Sequence, residues 1–429
     1  MNIFKYFSEL FNNKSLSSKS CGSIDSLEYN HATNAYKQIK EGYCWNAIVY
    51  SCVSKIAQAC GELELESVDK KGEYVEAETE ILKLIQNPNQ FQNDNTFIES
   101  AIIYHQLTGS CFIEGVMSGN RMIELNVIPT HEVTIQSYNT NNAYQPIEYT
   151  WNSNGLMKTW RLNQILGIYE TEQKNSRLLH IKNFNPLLPK EGLSPLSAGA
   201  YAVDGNNLGM EWNNSMLNNY AKPSGVLSTE KVFDAPQRSF IAKYLDGLSG
   251  SKNANKTMIL EGGLNWAQTG LSPLDMDFSN TLDKTAKYIA MVFKIPLDMV
   301  LGNSTYANLS ESREMFYIDT VIPLTNRFLK ELSKFIDPKG IYRLRVNMDN
   351  IIALEGMRER LFNRNVKGVQ GSILTPNEAR ESIGYDPVDG IGDDLLTSGN
   401  TKLLDDVGAE IVNELQSLNT AQRVNNQKE

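Results

Sequence analysis

The chain has 429 residues, and at roughly 150 residues per domain this length predicts about three domains. Hydrophobic residues make up 41% of it and charged residues 21%, so a chain that is disordered throughout is excluded. Forty Lys and Arg stand against fifty Asp and Glu, for a net charge of −10. That balance disfavours a protein that coats nucleic acid through an overall positive surface, so any such contact is expected to be local.

The sequence has no pattern typical of membrane insertion or export. The longest unbroken apolar run, residues 288–293, has six residues, whereas a membrane-spanning helix needs about 20. The start of the chain alternates apolar and polar residues and does not read as a secretion signal. The five cysteines form no CxxC pair, which predicts reduced thiols in a cytosolic compartment. We interpret Cys44, Cys52 and Cys60, eight residues apart on a predicted helix, as small buried residues and not as metal ligands.

The first part of the chain predicts a polar arm followed by an α+β domain. Residues 1–40 are rich in Ser, Asn and Lys, a composition typical of a mobile arm. Apolar spacing predicts helices over 44–60, 81–85 and 96–107. Period-two alternation between Gly and Asn turns predicts strands over 63–68, 111–117, 122–128, 133–136 and 147–151.

Two long helices are predicted on either side of a small α/β module. The first covers 194–220 and is capped by Ser194, and the second covers about 275–294. The module between them, 222–272, reads as short strands and one helix. Since both helices must run back toward the same body, they hold the module out on two stalks. The first helix carries a polar stripe, which is either a solvated face or a functional lining: Asn207, Glu211, Asn214 and Asn218.

A third long helix is predicted over 308–336. Asn308 and Glu311 form a capping-box pattern at its start. Pro323 removes a backbone donor in mid-helix and is expected to kink the helix near Asp319. Beyond it the sequence predicts a strand over 341–346, a helix over 354–367 and another opened by Thr375 to Glu378. The polar tail after about residue 400 is expected to fray.

The sequence predicts no catalytic residue, no cofactor and no metal site. Its four histidines lack metal-ligand spacing, and no GxSxG elbow occurs. The loop 250–257 matches a Walker A loop except that Asn255 replaces the second glycine, and it precedes a strand and not a helix, so we interpret the match as chance. Two acidic pairs are explained by helix N-terminal charge and a solvated turn: Asp275 with Asp277, and Asp393 with Asp394.

The second long helix has the most informative charge pattern. At about 100° per residue, Lys284, Lys287 and Lys294 lie within about 80° of one another. Leu282, Ile289 and Phe293 gather on the opposite side. In a monomer such a stripe is an ordinary solvated surface. Repeated around a ring, it becomes a positive belt that meets phosphates without reading bases. The sequence pattern alone leaves both readings open.

Five segments of the chain stand out by their order and spacing. They are GLSPL at 192–196, KPSGVL at 222–227, LEGGLNW at 260–266, FKIP at 293–296 followed by Leu301-Gly302, and LTPNEAR at 374–380 followed by Gly384-Tyr385 and Pro387. Together they resemble the portal proteins of the long-tailed branch of tailed bacteriophages and related gene-transfer particles. The resemblance covers roughly residues 40–396.

This resemblance implies an α+β portal fold that assembles as a ring, usually a dodecamer, at one capsid vertex. Double-stranded DNA enters through the ring during packaging and leaves through it at ejection. The implied parts are a flexible N-terminal arm (1–40), an α/β wing (41–193), stem helix 1 (194–221), a small α/β clip (222–272), stem helix 2 (273–296), a tunnel loop (297–309), a kinked long helix with a wing strand (310–353), a helical crown (354–400) and a flexible C-terminal tail (401–429).

The resemblance also implies two sets of contact residues. We expect the DNA channel to be lined, without sequence specificity, by Lys284, Lys287, Lys294, Asn303, Ser304, Thr305, Tyr306 and Asn308. We expect the clip to present to its partners Lys231, Arg238, Lys243, Lys252, Lys256 and Trp266.

The implied partners are the terminase large subunit, which would hydrolyse ATP, the major capsid protein, head-tail connector proteins and further copies of this chain. The implied location is the virion, after assembly in the host bacterial cytoplasm, without a membrane. Two other readings remain: a nucleotide-binding enzyme that uses the loop 250–257, and a monomeric adaptor whose lysine stripe is only solvated.

Overall fold

A computed structural model describes residues 35–75, 77, 79–136, 146–218, 225–228, 232–247, 265–268, 278–301 and 306–396. The chain divides into two compact units, Met1–Asn347 and Met348–Glu429. The predicted arm up to residue 34 and the predicted tail from residue 397 lie outside the described residues. Residues 35–40, which the sequence assigned to the arm, are helical, and Ala35 is buried.

Helices at the start of the first unit form one side of its core. They are a π-helical segment (Gln38–Cys44), α1 (Ala47–Gly61), α2 (Glu80–Gln86) and α3 (Asp94–Thr108). The side chain of Asn46 accepts hydrogen bonds from the amides of Ile48 and Val49 and so caps α1. Helices α1 and α3 pack against each other. Cys52 and Cys60 are buried in α1 as predicted, whereas Cys44 ends the π-helical segment and is exposed, so its predicted burial is wrong.

A seven-stranded antiparallel sheet follows, in the order β3-β2-β8-β7-β6-β5-β4. Its strands are β2 (Ser110–Ser118), β3 (Arg121–Ile128), β4 (Val133–Gln136), β5 (Glu148–Ser153), β6 (Leu156–Asn163), β7 (Ile168–Glu170) and β8 (Ser176–Lys182). The two edge strands, β3 and β4, are joined by only the residues 129–132. The sheet must therefore curl, and it encloses a core around Phe112, Tyr149 and Trp160.

A two-stranded sheet ties the two ends of the first unit together. Strand β1 (Leu65–Val68) pairs antiparallel with β11 (Arg343–Val346), with Leu65 opposite Val346. The remaining elements of this unit are α4 (Pro195–Ala198), α5 (Ala200–Asn218), β9 (Gly225–Ser228), α6 (Ala235–Gly247), β10 (Asn265–Gln268), α7 (Phe278–Val292), α8 (Leu297–Leu301), α9 (Tyr306–Phe316) and α10 (Ile322–Ile336).

The long third helix is interrupted where the sequence predicts a kink. A π-helical turn, Tyr317–Val321, separates α9 from α10 and contains Asp319. The amide of Ile322 donates to the carbonyl of Tyr317, five residues back, and Pro323 next to it has no amide hydrogen to donate. The predicted cap at Asn308 is wrong, because the helix begins at Tyr306 and Asn308 lies inside its first turn.

The described part of the second unit, residues 348–396, is mainly helical. Its main helices are α11 (Glu355–Gln370) and α12 (Pro376–Ser382). The predicted capping box of α12 is confirmed: Thr375 accepts from the amide of Glu378, and the Glu378 carboxylate accepts from the amide of Thr375.

Candidate DNA-channel surface

The two predicted stem helices, α5 and α7, pack side by side and run antiparallel. A Cβ atom added at Gly199, which immediately precedes α5, would lie 3.2 Å from Val292. One added at Gly205 would lie 3.6 Å from Thr285. Since contact positions rise along α5 as they fall along α7, the helices run in opposite directions. The single helix predicted over 194–220 is divided in two at Gly199. The first part is the short helix α4, which is capped by Ser194 as predicted, and the second part is α5.

Buried asparagines hold the base of the stem together. The Asn206 amide group donates to the Thr285 hydroxyl at 3.0 Å. The Asn46 amide group donates to Asn206 at 3.0 Å and to Asn207 at 2.8 Å. Asn207 in turn donates to the backbone carbonyl of Glu41 at 3.1 Å. Because buried polar groups are costly unless paired, this network fixes α5 and α7 against the start of α1.

Helix α7 buries one side and exposes the other. Its buried side includes Ile289 and Ala290, each at most 1% exposed. Lys284 and Lys287 are exposed, and residues three apart on a helix lie on the same side. The structure thus brings these two predicted channel lysines together, one turn apart, opposite the buried side of α7.

Lys294 does not continue that helical stripe. Helix α7 ends at Val292, and Lys294 adopts a left-handed conformation with φ of 56°. The amide of Ile295 donates to the carbonyl of Ala290, and that of Lys294 to the carbonyl of Met291, each at 3.0 Å. This is a Schellman cap, in which glycine usually occupies the position of Lys294. The Lys294 side chain is exposed.

The predicted tunnel loop is partly helical. Residues 297–301 form α8, and Tyr306 and Asn308 lie in α9, where Asn308 is exposed. The Ser312 hydroxyl donates to the Asp298 carboxylate at 3.3 Å and links the two helices. Three of the predicted channel-lining residues lie outside the described residues: Asn303, Ser304 and Thr305.

The predicted clip contains a strand pair and a helix. Strands β9 and β10 pair antiparallel, with Trp266 opposite Leu227. Arg238 and Lys243 lie exposed on α6, and the Arg238 guanidinium donates to the carbonyl of Phe233 at 3.0 Å. Also outside the described residues are Lys231, Lys252, Lys256 and the Walker-like loop 250–257.

A serine, a histidine and a tyrosine form a hydrogen-bonded chain within the seven-stranded sheet. The ring of His180 bonds the Ser110 hydroxyl at 3.1 Å and the Tyr149 hydroxyl at 2.9 Å. Ser110 is 0% exposed, and its oxygen also accepts from the amide of Gly192 at 3.0 Å. The Ser110 hydroxyl is too deeply buried for a substrate to reach it. These three hydrogen-bonded side chains therefore tie the sheet to the segment before α4.

In the described part of the chain, no three His, Cys, Asp or Glu residues cluster as a metal site would require. None of the helices described there combines the length and apolar character of a membrane span.

The Asn46–Asn206 network was not predicted from the sequence. The polar stripe predicted on the first long helix began at Asn207. Its neighbour Asn206 is the residue that is 3% exposed and that links α5 to α7. One feature of the sequence could have indicated this network: Asn206 lies near the two glycines of α5. Glycines allow two helices to pack closely, and close packing buries a polar side chain between them.

The sequence matches the phage portal protein family over residues 47–384. A protein of Rickettsia felis is 28% identical over 396 residues, which cover 90% of this chain and 98% of the relative. The portal protein of Enterobacteria phage HK97 is 23% identical over 240 residues, 54% of this chain and 55% of that protein.

Solved structures agree with this match. A chain from the neck of a native gene transfer agent (GTA) particle, computed with C12 symmetry, is similar with a TM-score of 0.59 and 26% identity, covering 83% of this chain and 94% of that chain. An HK97 family portal protein from Corynebacterium diphtheriae shares the fold, with a TM-score of 0.51 and 10% identity over 75% of this chain and 96% of that chain. The chain therefore belongs to the phage portal protein family, structural proteins that form the DNA channel at a capsid vertex.

Proposed function

We propose that twelve copies of this chain form the portal ring and that α7 lines its channel. The observation that carries the proposal is the exposed pair Lys284 and Lys287, one turn apart on a helix whose opposite side, with Ile289 and Ala290, is buried. The twelvefold symmetry of the similar gene transfer agent neck supports the subunit number.

The charge distribution suits a channel through which a duplex slides. Each neutralised phosphate strengthens binding, so a channel that is basic along its whole length would hold the DNA in place. Here the chain as a whole carries a net charge of −10, and the stem adds only local ammonium groups. We infer that Lys294 and the polar residues 303–308 complete the lining and touch the duplex without gripping it.

We further infer that the clip is the docking surface for the terminase large subunit and later for head-tail connector proteins. Helix α6 and the residues before it expose two cations, Arg238 and Lys243, beside apolar side chains of Val232 and Phe240 that are 91% and 72% exposed. Exposed apolar groups among charged ones are typical of protein interfaces. In this proposal the capsid protein surrounds the ring at the vertex, assembly occurs in the host cytoplasm, and ATP is hydrolysed by the terminase.

The channel is tested by replacing both Lys284 and Lys287 with Glu in particles that carry this chain. We expect rings to form but nuclease-protected DNA to fall, because reversed charges repel phosphates. The matched control is Lys330→Glu with Lys334→Glu, an exposed pair one turn apart on α10. Equal packaging and retention by both variants would contradict the lining.

The ring itself is tested by the mass of the purified full chain. An annular oligomer is expected. A monomer at every concentration would instead favour the adaptor, and ATP binding by the purified chain would favour the nucleotide-binding enzyme.

A further inference from the structure

The turn between β6 and β7 presents two aliphatic side chains to solvent. Ile165 and Leu166, called the tip below, are 94% and 61% exposed. The side-chain oxygen of Asn163 accepts from the amides of both residues, at 3.1 and 3.2 Å. The Asn163 amide group donates to the Glu170 carboxylate at 2.7 Å, and its backbone carbonyl accepts from Gly167 at 2.8 Å. Apolar side chains on a turn fixed in this way lose little freedom on binding, so they suit docking.

A pocket of about 560 Å³ lies between the β2–β3 turn, α2 and the last residue of α10. Its apolar lining residues are Leu84, Met122, Ile123 and Ile336. Its charged lining residues are Lys83, Arg121 and Glu80, and the last two form an ion pair at 3.3 Å. The volume is within the range of clefts that enclose small ligands, so the pocket has room for two aliphatic side chains.

The tip and the pocket lie at opposite ends of the seven-stranded sheet. Strand β2 ends beside the start of β8, where Val116 lies opposite Ser176. Strand β7 also ends there, since Glu170 lies opposite Arg177. The β2–β3 turn therefore marks one end of the sheet, and the turn that leads into β7 marks the other. Two different surfaces at opposite ends of one body allow head-to-tail contacts, the kind of contact that closes a ring.

The charges near the tip and in the pocket are complementary. Beside the tip, Arg161 lies opposite Glu170. The Arg161 guanidinium also pairs with Glu148 at 2.7 Å and with Glu172 at 2.8 Å. This cluster of three carboxylates and one guanidinium is net negative, whereas the pocket has two cations and one carboxylate. Opposite net charges favour the encounter of the two surfaces and fix their orientation.

We propose that the tip of one copy of this chain inserts into the pocket of the next copy around the ring. Each pocket then receives Ile165 and Leu166 from a neighbour, and the acidic cluster beside the tip lies near Lys83 and Arg121. This inference rests on the ring of the proposed function and adds to it the contact that joins neighbouring subunits.

The first test is a disulfide between copies of the full chain, with Cys21 and Cys44 replaced by Ser. Leu166→Cys and Ile123→Cys are combined in one chain and mildly oxidised. Because the two positions lie at opposite ends of the sheet, we expect a ladder of covalent oligomers and not a disulfide within one chain. The matched control combines Ile123→Cys with Leu156→Cys. Leu156 is 69% exposed but begins β6, at the other end of that strand from the tip, so no ladder is expected.

The mass of the particle is measured in the same samples. A ring that yields no disulfide, covalent dimers only, or an equal ladder from the control would overturn this inference and leave the proposed ring intact. A chain that stays monomeric at every concentration would overturn both.

The second test weakens the contact from the side of the tip. Ile165→Lys places an ammonium group in an apolar pocket that already carries two cations, and we expect the dissociation constant between copies to rise at least about tenfold. Sedimentation of the purified chain measures it, and circular dichroism checks that the variant is folded. Leu156→Lys is the matched control and is expected to leave association unchanged. Equal effects of the two variants, or no effect of Ile165→Lys, would contradict the proposed contact.

Discussion

The hydroxyl of Thr320 donates a 2.7 Å hydrogen bond to the backbone carbonyl of Lys294. It joins two unusual backbone segments, the left-handed residue that ends stem helix α7 and the π-helical turn that interrupts the long third helix. Both kinds of segment are costly and persist only where the surroundings hold them. The C-terminal end of α7 is therefore fixed to the middle of the long helix by a contact between two such segments.

Removing this hydroxyl is expected to loosen the base of the stem. Thr320 is 7% exposed, so Thr320→Val preserves shape but leaves the Lys294 carbonyl without its donor, at a cost of about 1–2 kcal/mol. Chemical denaturation and amide exchange at Ile295 measure the loss. Thr320→Ser keeps the hydroxyl and is expected to retain most of the stability. Equal stability of the valine variant and the unmodified chain would contradict this role.

Lys294→Gly is expected to stabilise the chain by about 1 kcal/mol. A left-handed φ costs an L-residue about 1–2 kcal/mol, and the greater freedom of glycine in the unfolded chain offsets part of the gain. Lys294→Ala removes the charge but keeps the backbone penalty, so it separates the two effects. A glycine variant no more stable than the alanine variant would contradict the argument.

Gly192→Ala is expected to disrupt the contact between the segment before α4 and the turn at Gly109 that ends α3. A Cβ atom there would lie 1.7 Å from the carbonyl oxygen of Gly109, so one backbone segment must move. We expect a loss of at least about 3 kcal/mol in urea denaturation, or failure to fold. The control is Gly205→Ala, because its Cβ would meet Thr285 at an ordinary 3.6 Å and alanine favours the helix by about 0.5–1 kcal/mol. Similar losses at both sites would contradict this distinction.

His105 is expected to make stability depend on pH below neutrality. It is 3% exposed, and neither ring nitrogen has a partner among the described residues. Burial, aided by the charge of Arg327, lowers the pKa of His105 from 6.5 to about 4. Between these values the unfolded chain binds the proton and the folded chain does not. Stability is thus lost as pH falls from 6.5 toward 4, by about 3 kcal/mol in total.

His105→Leu is expected to remove this contribution. Denaturation midpoints of both chains at pH 7.5, 6.5, 5.5 and 4.5 measure it, and the difference between the chains should grow in favour of the variant only below pH 6.5. A difference in midpoint that stays constant from pH 7.5 to 4.5 would mean that His105 binds its proton equally well in the folded and the unfolded chain, which would contradict the prediction.

The features that could be predicted from the sequence are those determined by residues close by in the chain. The interruption at Asp319 follows from one proline, and the start of α12 from Thr375 and Glu378. Strands β6, β7 and β8 were not predicted, because their positions depend on partners elsewhere in the sheet. Exposed residues such as Leu156 and Met157 also blur the alternation of β6.

The candidate surface was predicted in part for the same reason. Lys284 and Lys287 share one side of a continuous helix, so periodicity was enough to pair them. Lys294 was placed on the same side by assuming that the helix continues to it. The helix ends earlier, because Ile295 and Thr320 make hydrogen bonds there that helical periodicity does not predict. Asn206 is important because it reaches both Asn46 and Thr285, and a pairing across 160 residues of sequence leaves no local signal.

The antiparallel pairing of α5 and α7 has an evolutionary consequence. The chain leaves the body along one helix and returns along its neighbour, so everything between them behaves as a cassette with adjacent ends. Such a cassette can change in length or composition while the sheet and helices outside it keep their own contacts, so its divergence between related chains need not disturb the rest of the first unit.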